Sequence, residues 1–385
     1  MVRYLEAGES HGKGLFAIIE GLPAGIPLDL DYINAQLARR QGGHGRGGRM
    51  KIEKDRVEFM TGVRDGKTLG SPITMMIKNR DWENWETIMS SEAGCDIENR
   101  KVTLPRPGHA DLTGGIKYGH EDLRNILERA SARETAIRVA VGALAQDVLR
   151  QFGIRLWGHV VSIGAVEALP DYNRLNDALY DTPVYCTDPE AEKEMMKAID
   201  VAKEHGDTLG GVTEVVVEGL PKGVGTYVHY DRKLDGKLAQ AVMSIQAFKG
   251  VEIGLGFQAA MLPGSETHDE IFYETGKGFY HKTNRAGGLE GSMTNGEPVV
   301  IRGAMKPIPT LYQPLHSADF LTHEEGLASV ERSDACAVPA AAIVMQNAVS
   351  WTILESFLEK FGGDQMEEVK RNFDGYCDYV KAVEA

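Results

Sequence analysis

Five short segments of the chain carry residue types that chemistry needs. The first is Gly8-Glu9-Ser10-His11-Gly12, a histidine held between glycines. An imidazole on such a tight loop is free to act as acid, base or donor to phosphate. A surface turn with an incidental histidine is the competing reading. The second is Arg39-Arg40-Gln41-Gly42-Gly43-His44-Gly45-Arg46-Gly47-Gly48-Arg49, four arginines and a histidine among five glycines. Glycine lets backbone N–H groups face an anion, and arginine offers bidentate donors to phosphate or carboxylate. It is no P-loop, because no Gly-Lys-Ser/Thr ending follows. It is no dinucleotide fingerprint either, because a helix precedes the glycines where a strand would be required. A polyanionic small-molecule site and an Arg-Gly nucleic-acid segment remain as readings.

The third pairs Arg106-Pro107-Gly108-His109-Ala110-Asp111 with Arg129-Ala130-Ser131-Ala132-Arg133-Glu134-Thr135-Ala136. The first half reads as a rigid turn presenting Arg106 and His109. The second lies in a helical pattern, so Arg129 and Arg133, four apart, are expected on one face. Two cations on one face repel unless anions lie nearby; two solvated arginines are the plain alternative. The fourth joins Asn284 to Gly291 with Lys306-Pro307-Ile308-Pro309-Thr310. The prolines exclude helix, and the segment reads as a stiff strap holding Lys306 and Thr310 against a ligand, or as an ordinary connection. The fifth is Glu331-Arg332-Ser333-Asp334-Ala335-Cys336-Ala337-Val338-Pro339. Ser333 or Asp334 fits a helix N-cap, and Asp334 beside Arg332 equally fits a held catalytic base.

The whole chain constrains what these segments can serve. It has 385 residues and a formal net charge of −14, so nucleic acid and anionic membranes are not expected as partners. Any anion site must be a local gathering of cations. Hydrophobic content of 42% and charged content of 25% are those of a soluble globular protein. The first residues, MVRYLEAGES, lack an apolar core and predict no secretory signal. Cys95, Cys186, Cys336 and Cys377 are scattered, which argues against disulfides and zinc and for a cytoplasmic protein. No metal site is expected. No hydrolase-type nucleophile elbow is expected, and H-E-x-x-H is missing from the sequence.

The elements that must position these residues read as follows. Strands are expected at 15–19, 57–60, 73–77, 251–257 and 299–304. Val212 to Leu220 alternates as a half-exposed strand. Helices are expected from Leu30 to Arg40, from Leu123 to Phe152 as the longest pattern, at 188–204, from Leu234 to Phe248, from Ala335 to Phe361 as one or two, and in the tail after Gly363. Gly142 inside the longest pattern marks close helix packing. No linker divides the chain, so one α/β domain over residues 1–385 is expected.

Taken in this order, the five segments resemble the chorismate synthase family, from Gly8 to about Trp351. Gly8 to Gly12, Arg129 to Ala136 and Arg332 to Pro339 carry the resemblance; Ala130 departs from the serine of many members. The resemblance implies an α/β fold of the α+β type, a β-α-β sandwich, assembled as a homotetramer in the cytoplasm. It implies a lyase that converts 5-enolpyruvylshikimate 3-phosphate to chorismate and phosphate by 1,4-anti elimination, requiring reduced FMN without net redox change. His11, His109 and Asp334 match its catalytic groups. Arg129, Ala130, Ser131, Gln246, Ala247, Gly291, Lys306, Pro307, Ile308, Pro309, Thr310 and Arg332 match its flavin contacts. Ser10, Arg49, Arg106 and Arg133 match substrate contacts, and Arg40 and Arg46 match positions that bind substrate or NADPH. A separate flavin reductase is the expected source of reducing equivalents, with NADPH oxidation by the chain itself as the alternative. A phosphoanion- or RNA-binding protein and a flavin oxidoreductase are the rival functions.

Overall fold

Alternating side chains build the first layer of the structure, a computed structural model that describes residues 2–47, 54–331 and 334–385. Strands β1 (Arg3–Ala7), β2 (Gly14–Glu20), β3 (Val57–Phe59) and β4 (Ile73–Lys78) form an antiparallel sheet in the order β1-β2-β4-β3. Leu15, Ala17 and Ile19 of β2 lie opposite Ile77, Met75 and Ile73 of β4, and all six are buried. The period of two sends this set to one face and leaves Phe16 and Ile18 on the other.

The second layer is helical. Helix α1 spans Leu30–Gln41 and is capped by Asp29, whose side chain accepts from the Tyr32 N–H. In helix α4 (Thr135–Arg150) every residue but Arg138 and Arg150 is buried. Helix α8 (Val338–Phe361) is as apolar, with only Glu355, Glu359 and Lys360 left unburied. Helices apolar on all sides belong inside. Accordingly α4 and α8 pack on each other, with α4 also against β2 and β4. The third layer is an antiparallel sheet of β5 (Arg155–Ile163), β6 (Val166–Glu167), β7 (Gly211–Glu218), β8 (Phe248–Ile253) and β9 (Val299–Met305), in the order β8-β9-β7-β5-β6. It covers α8 through β5 and β7. The β-α-β sandwich is therefore as expected.

Several local expectations change. The pattern from Leu123 to Phe152 is two helices, α3 (Arg124–Ala130) and α4. Ser131 between them is extended, with φ −65° and ψ 142°, and its hydroxyl accepts from the Arg133 N–H. A serine that bonds its neighbours' backbone competes with the helix. The strand at Val212–Leu220 is not half-exposed: β7 is buried from Thr213 to Val217. Helix α6 (Leu234–Met243) stops short of the expected Phe248, and the strand expected at 251–257 runs from Phe248 to Ile253. Helix α8 begins after Ala337, which caps it without a side-chain bond, so Asp334 is not its N-cap. Ser333, the other cap candidate, lies outside the described residues. Helices α2 (Asp111–Tyr118), α5 (Pro189–Glu204), the single turn α7 (Gly264–Thr267) and the C-terminal α9 (Met366–Glu384) lie around these layers.

Gly142 is where α4 meets α8: a Cβ there would lie 2.1 Å from the Asn347 carbonyl oxygen. Gly142→Ala should force the helices apart and cost about 1–3 kcal/mol. Gly375→Ala, in open space on α9, should be neutral or slightly stabilising. Denaturation midpoints in urea check the contrast.

Candidate functional site

The His11 loop closes over the break between α3 and α4. Ser10 donates its N–H to the Glu128 carbonyl at 2.9 Å, and the Ser131 hydroxyl bonds Ser10 Oγ at 3.2 Å. The Asn79 amide donates to the carbonyls of Glu9 and Gly12, fixing the loop from β4's end. His11 Nδ1 lies 2.8 Å from Glu128 Oε1, and its N–H donates to Glu128 Oε2 at 2.8 Å. The ring stacks on Trp85 at 3.8 Å, and Arg100 and Arg124 cover Trp85 in turn. Burial pushes the Glu128 carboxyl up, but the His11 ring, the His11 N–H and Arg124 outweigh it and hold it below its ordinary value. With Nδ1 bound to Glu128, Nε2 is the nitrogen left for chemistry.

The same break sends its two arginines apart, so Arg129 and Arg133 do not share a face. Arg133 donates to Asn79 Oδ1 at 2.9 Å and to both oxygens of Asp55 at 2.7 Å. Arg129 turns instead toward Gly8 O and Glu6 Oε1, at 3.3 and 3.4 Å. Arg40, from the last turn of α1, donates to Thr135 Oγ1 and Ala132 O and lies 3.7 Å from Asp55. Burial pushes its guanidinium down to about 10. Its Nη1 has no hydrogen-bond partner among the described residues.

A second histidine is held just as firmly. His109 Nδ1 lies 2.6 Å from Asp111 Oδ1, at the start of α2. Arg106 donates to Asp111 through its backbone and side chain, and to Thr310 Oγ1 at 3.1 Å. Thr310 and Lys306 belong to the proline strap, and Lys306 Nζ donates to Gly108 O at 2.5 Å. The strap thus holds the Pro-Gly-His turn. Burial pushes Asp111 up, yet hydrogen bonds from His109 and Arg106 hold it far below the usual carboxylate range.

Asp334 meets the Arg-Gly loop: Oδ2 pairs with Arg46 at 2.9 Å and Oδ1 accepts the Gly47 N–H at 2.6 Å. His44 of that loop pairs outward with Asp200 on α5. The Lys306 N–H bonds Ala247 O, and the Gln246 amide donates to Glu134 at 2.7 Å. Ala247 holds a left-handed φ of 69°, which a residue with a Cβ rarely adopts. Gly291 lines a cleft of about 390 Å³ with Leu255, His268, Asp269, Arg285 and Glu290. Arg49 and Arg332 lie outside the described residues. The arrangement holds several guanidiniums, chemistry that suits a polyanion, and two oriented imidazoles and a carboxylate, groups able to exchange protons.

The family model for chorismate synthase matches residues 2–358. The chain belongs to the chorismate synthase family. The chorismate synthase of Pelobacter propionicus is 57% identical, with all of both chains covered. That of Syntrophotalea carbinolica is 60% identical over 99% of each. A chorismate synthase crystal structure superposes with a TM-score of 0.80 at 45% identity, covering 99% of this chain and 98% of that one. The chain is accordingly a lyase of aromatic amino-acid biosynthesis. The family implies a flavin, and the residues fit one: among the described residues Gln246 Oε1 is buried without a hydrogen bond, next to the strained Ala247 that bonds the strap.

Sequence reasoning missed Glu128, Asp55, Asn79 and Trp85. Only Glu128 carried a signal, standing four residues after Arg124, with which it pairs at 3.2 Å. Asp111 was within the quoted motif but given no role. Its neutralisation should leave Arg106 buried without a counter-charge. Asp111→Asn should therefore cost about 3–5 kcal/mol of stability and lower turnover about 100-fold or more. Because Asp111 is depressed in the folded state, its contribution is complete above about pH 4 and is lost as the pH falls below that. Urea unfolding at pH 6 and in acid should show a smaller acid loss in Asp111→Asn than in the wild type.

Proposed function

We propose that the chain binds FMN as its flavin and 5-enolpyruvylshikimate 3-phosphate beside it, and that His11, His109 and Asp334 move the protons of the elimination. The observation that carries this reading is the Asp111–His109–Arg106 group, in which one carboxylate orients an imidazole next to a guanidinium. That pairing suits a departing phosphate: Arg106 steadies its charge while His109 Nε2 protonates it. Bound reduced flavin supplies electron density to the breaking C–O bond.

The substrate offers a phosphate and two carboxylates. Ser10, Arg40, Arg46, Arg106 and Arg133 suit those anions, with Arg49 added by resemblance. Arg129, Ala130, Ser131, Gln246, Ala247 and the strap from Lys306 to Thr310 suit the flavin, with Gly291 and Arg332 added by resemblance alone. His11, anchored by Glu128, holds a proton at Nε2. Asp334, anchored by Gly47, accepts one at a carboxylate oxygen. Reducing equivalents come from a separate reductase. The chain acts as one domain, in the cytoplasm and as a homotetramer. Among the described residues no helix is long and apolar enough to cross a membrane. Leu5 and Ile18, paired across β1 and β2, and Phe16 lie exposed on the outer sheet face, an apolar patch suited to a second copy.

His11→Ala, His109→Ala and Asp334→Ala should each lower turnover by about 10- to 10,000-fold while flavin binding persists. Anaerobic incubation with substrate and reduced FMN, followed by chorismate absorbance, is the measurement. Wild-type rates in all three variants would end the assignment of roles. Turnover with oxidised FMN and no reductant would end the reduced-flavin requirement. NADPH should not be oxidised by the purified chain with FMN; measurable consumption would replace the separate reductase with an intrinsic one.

A further inference from the structure

Two carboxyls adjoin each other next to Arg129 and Gln246, two residues assigned to the flavin, and neither has a role in the chemistry above. Glu6 points inward from β1, and Glu134 is the N-cap residue of α4. Glu134 is almost fully buried. The cations around them are Arg129 at the end of α3 and Arg138 on α4; Tyr4 is the remaining titratable neighbour. Gln246 closes the cluster from the segment after α6.

The hydrogen bonds around this cluster are incomplete. Glu6 Oε2, Arg138 Nε and Gln246 Oε1 are all buried without partners among the described residues. Arg138 bonds the Ser244 carbonyl and hydroxyl at 3.2 and 2.6 Å, adjoins Tyr4, and holds its Nε 3.9 Å from Glu134 Oε1. Arg129 is held only loosely, by its two long contacts to Gly8 and Glu6, and its side chain is 42% exposed. A carboxyl pair in which one member carries a proton would use the empty Glu6 oxygen and relieve the repulsion of two buried charges.

We propose that Glu6 and Glu134 share one proton, and that this proton leaves the cluster with one net positive charge, presented by Arg129 to an anionic group of the flavin. The count is simple. Two guanidiniums against one carboxylate leave +1; against two carboxylates they leave zero. Burial and the neighbouring Glu134 raise Glu6 to about 8, so the proton is present at neutral pH and lost in mild alkali. The pair also fixes both flavin-contacting segments at once: Glu6 through Arg129, and Glu134 through Gln246. Glu6 and Glu134 are positioning residues on this account, and the proposal rests on the flavin reading above.

The test is flavin affinity against pH, read by fluorescence titration between about pH 7 and about pH 9.5. The flavin offers two anions, its phosphate and, once reduced, its ring. If the phosphate is held, the dissociation constant of oxidised FMN rises by about fivefold to tenfold across the range and that of riboflavin stays level. If the ring is held, only anaerobically reduced FMN shows the rise. In both cases Glu6→Gln and Glu134→Gln, each with a single ionisable carboxyl left, bind with little pH dependence, and Glu6→Asp restores the slope. A wild-type slope retained in either glutamine variant, or no slope with any wild-type ligand, would overturn the proposal alone. Failure of wild-type protein to bind FMN at pH 7 would overturn the flavin reading and the proposal together.

Discussion

A guanidinium taken out of water needs a counter-charge, because an unpaired buried ion costs more than most folds can spare. This site contains several. Arg133 is met by Asp55, Arg106 by Asp111, Arg124 by Glu128 and Arg46 by Asp334. Three of these carboxylates have a second duty. Glu128 binds His11, Asp111 binds His109, and Asp334 accepts the Gly47 N–H. The groups that make burial of the cations tolerable are therefore the groups that orient the residues proposed for acid–base work. Removing one of them disturbs charge and geometry together.

That arrangement dictates features of the fold with no other evident purpose. A continuous helix through 124–150 would stack Arg129 over Arg133, four residues on. The extended Ser131 turns α4 away from α3, so that Arg133 reaches Asp55 while Arg129 reaches Glu6. The same serine holds Ser10 and hence the His11 loop. Behind the break, α4 and α8 are packed too closely at Gly142 to shift, which gives the loops a fixed base.

The sequence made legible what local pattern encodes. Alternation marked β2 and β4, and capping and periodicity marked α1. The histidine loops and the arginines announced an anion site, and the order of the motifs made the family recognisable. What it hid depends on distant partners. Asp55 lies 78 residues from Arg133, and Glu128 lies 117 from His11; no spacing rule reaches so far. The break at Ser131 was hidden because its flanks are good helix formers without proline. The burial of β7 was hidden for a related reason. Glu214 read as a solvent-facing residue, yet it is buried, 3.0 Å from His159 and 2.6 Å from Arg302. A paired carboxylate can sit where an unpaired one cannot.

The carboxylates are not distributed evenly, and the imbalance says where an anion is wanted. At the Arg106 node one cation meets one carboxylate, so protonating His109 turns a neutral group positive, next to the place where a phosphate would leave. At the Asp55 node one carboxylate serves Arg133 closely and Arg40 only at 3.7 Å. Among the described residues two guanidiniums then share a single counter-charge, and burial lowers Arg40 toward 10 with one of its nitrogens unbonded. In a chain of net charge −14, that surplus cannot come from overall composition. Among the described residues Arg40 pairs with no carboxylate but Asp55, and the missing negative charge is of the kind the proposed phosphorylated, doubly carboxylated substrate brings.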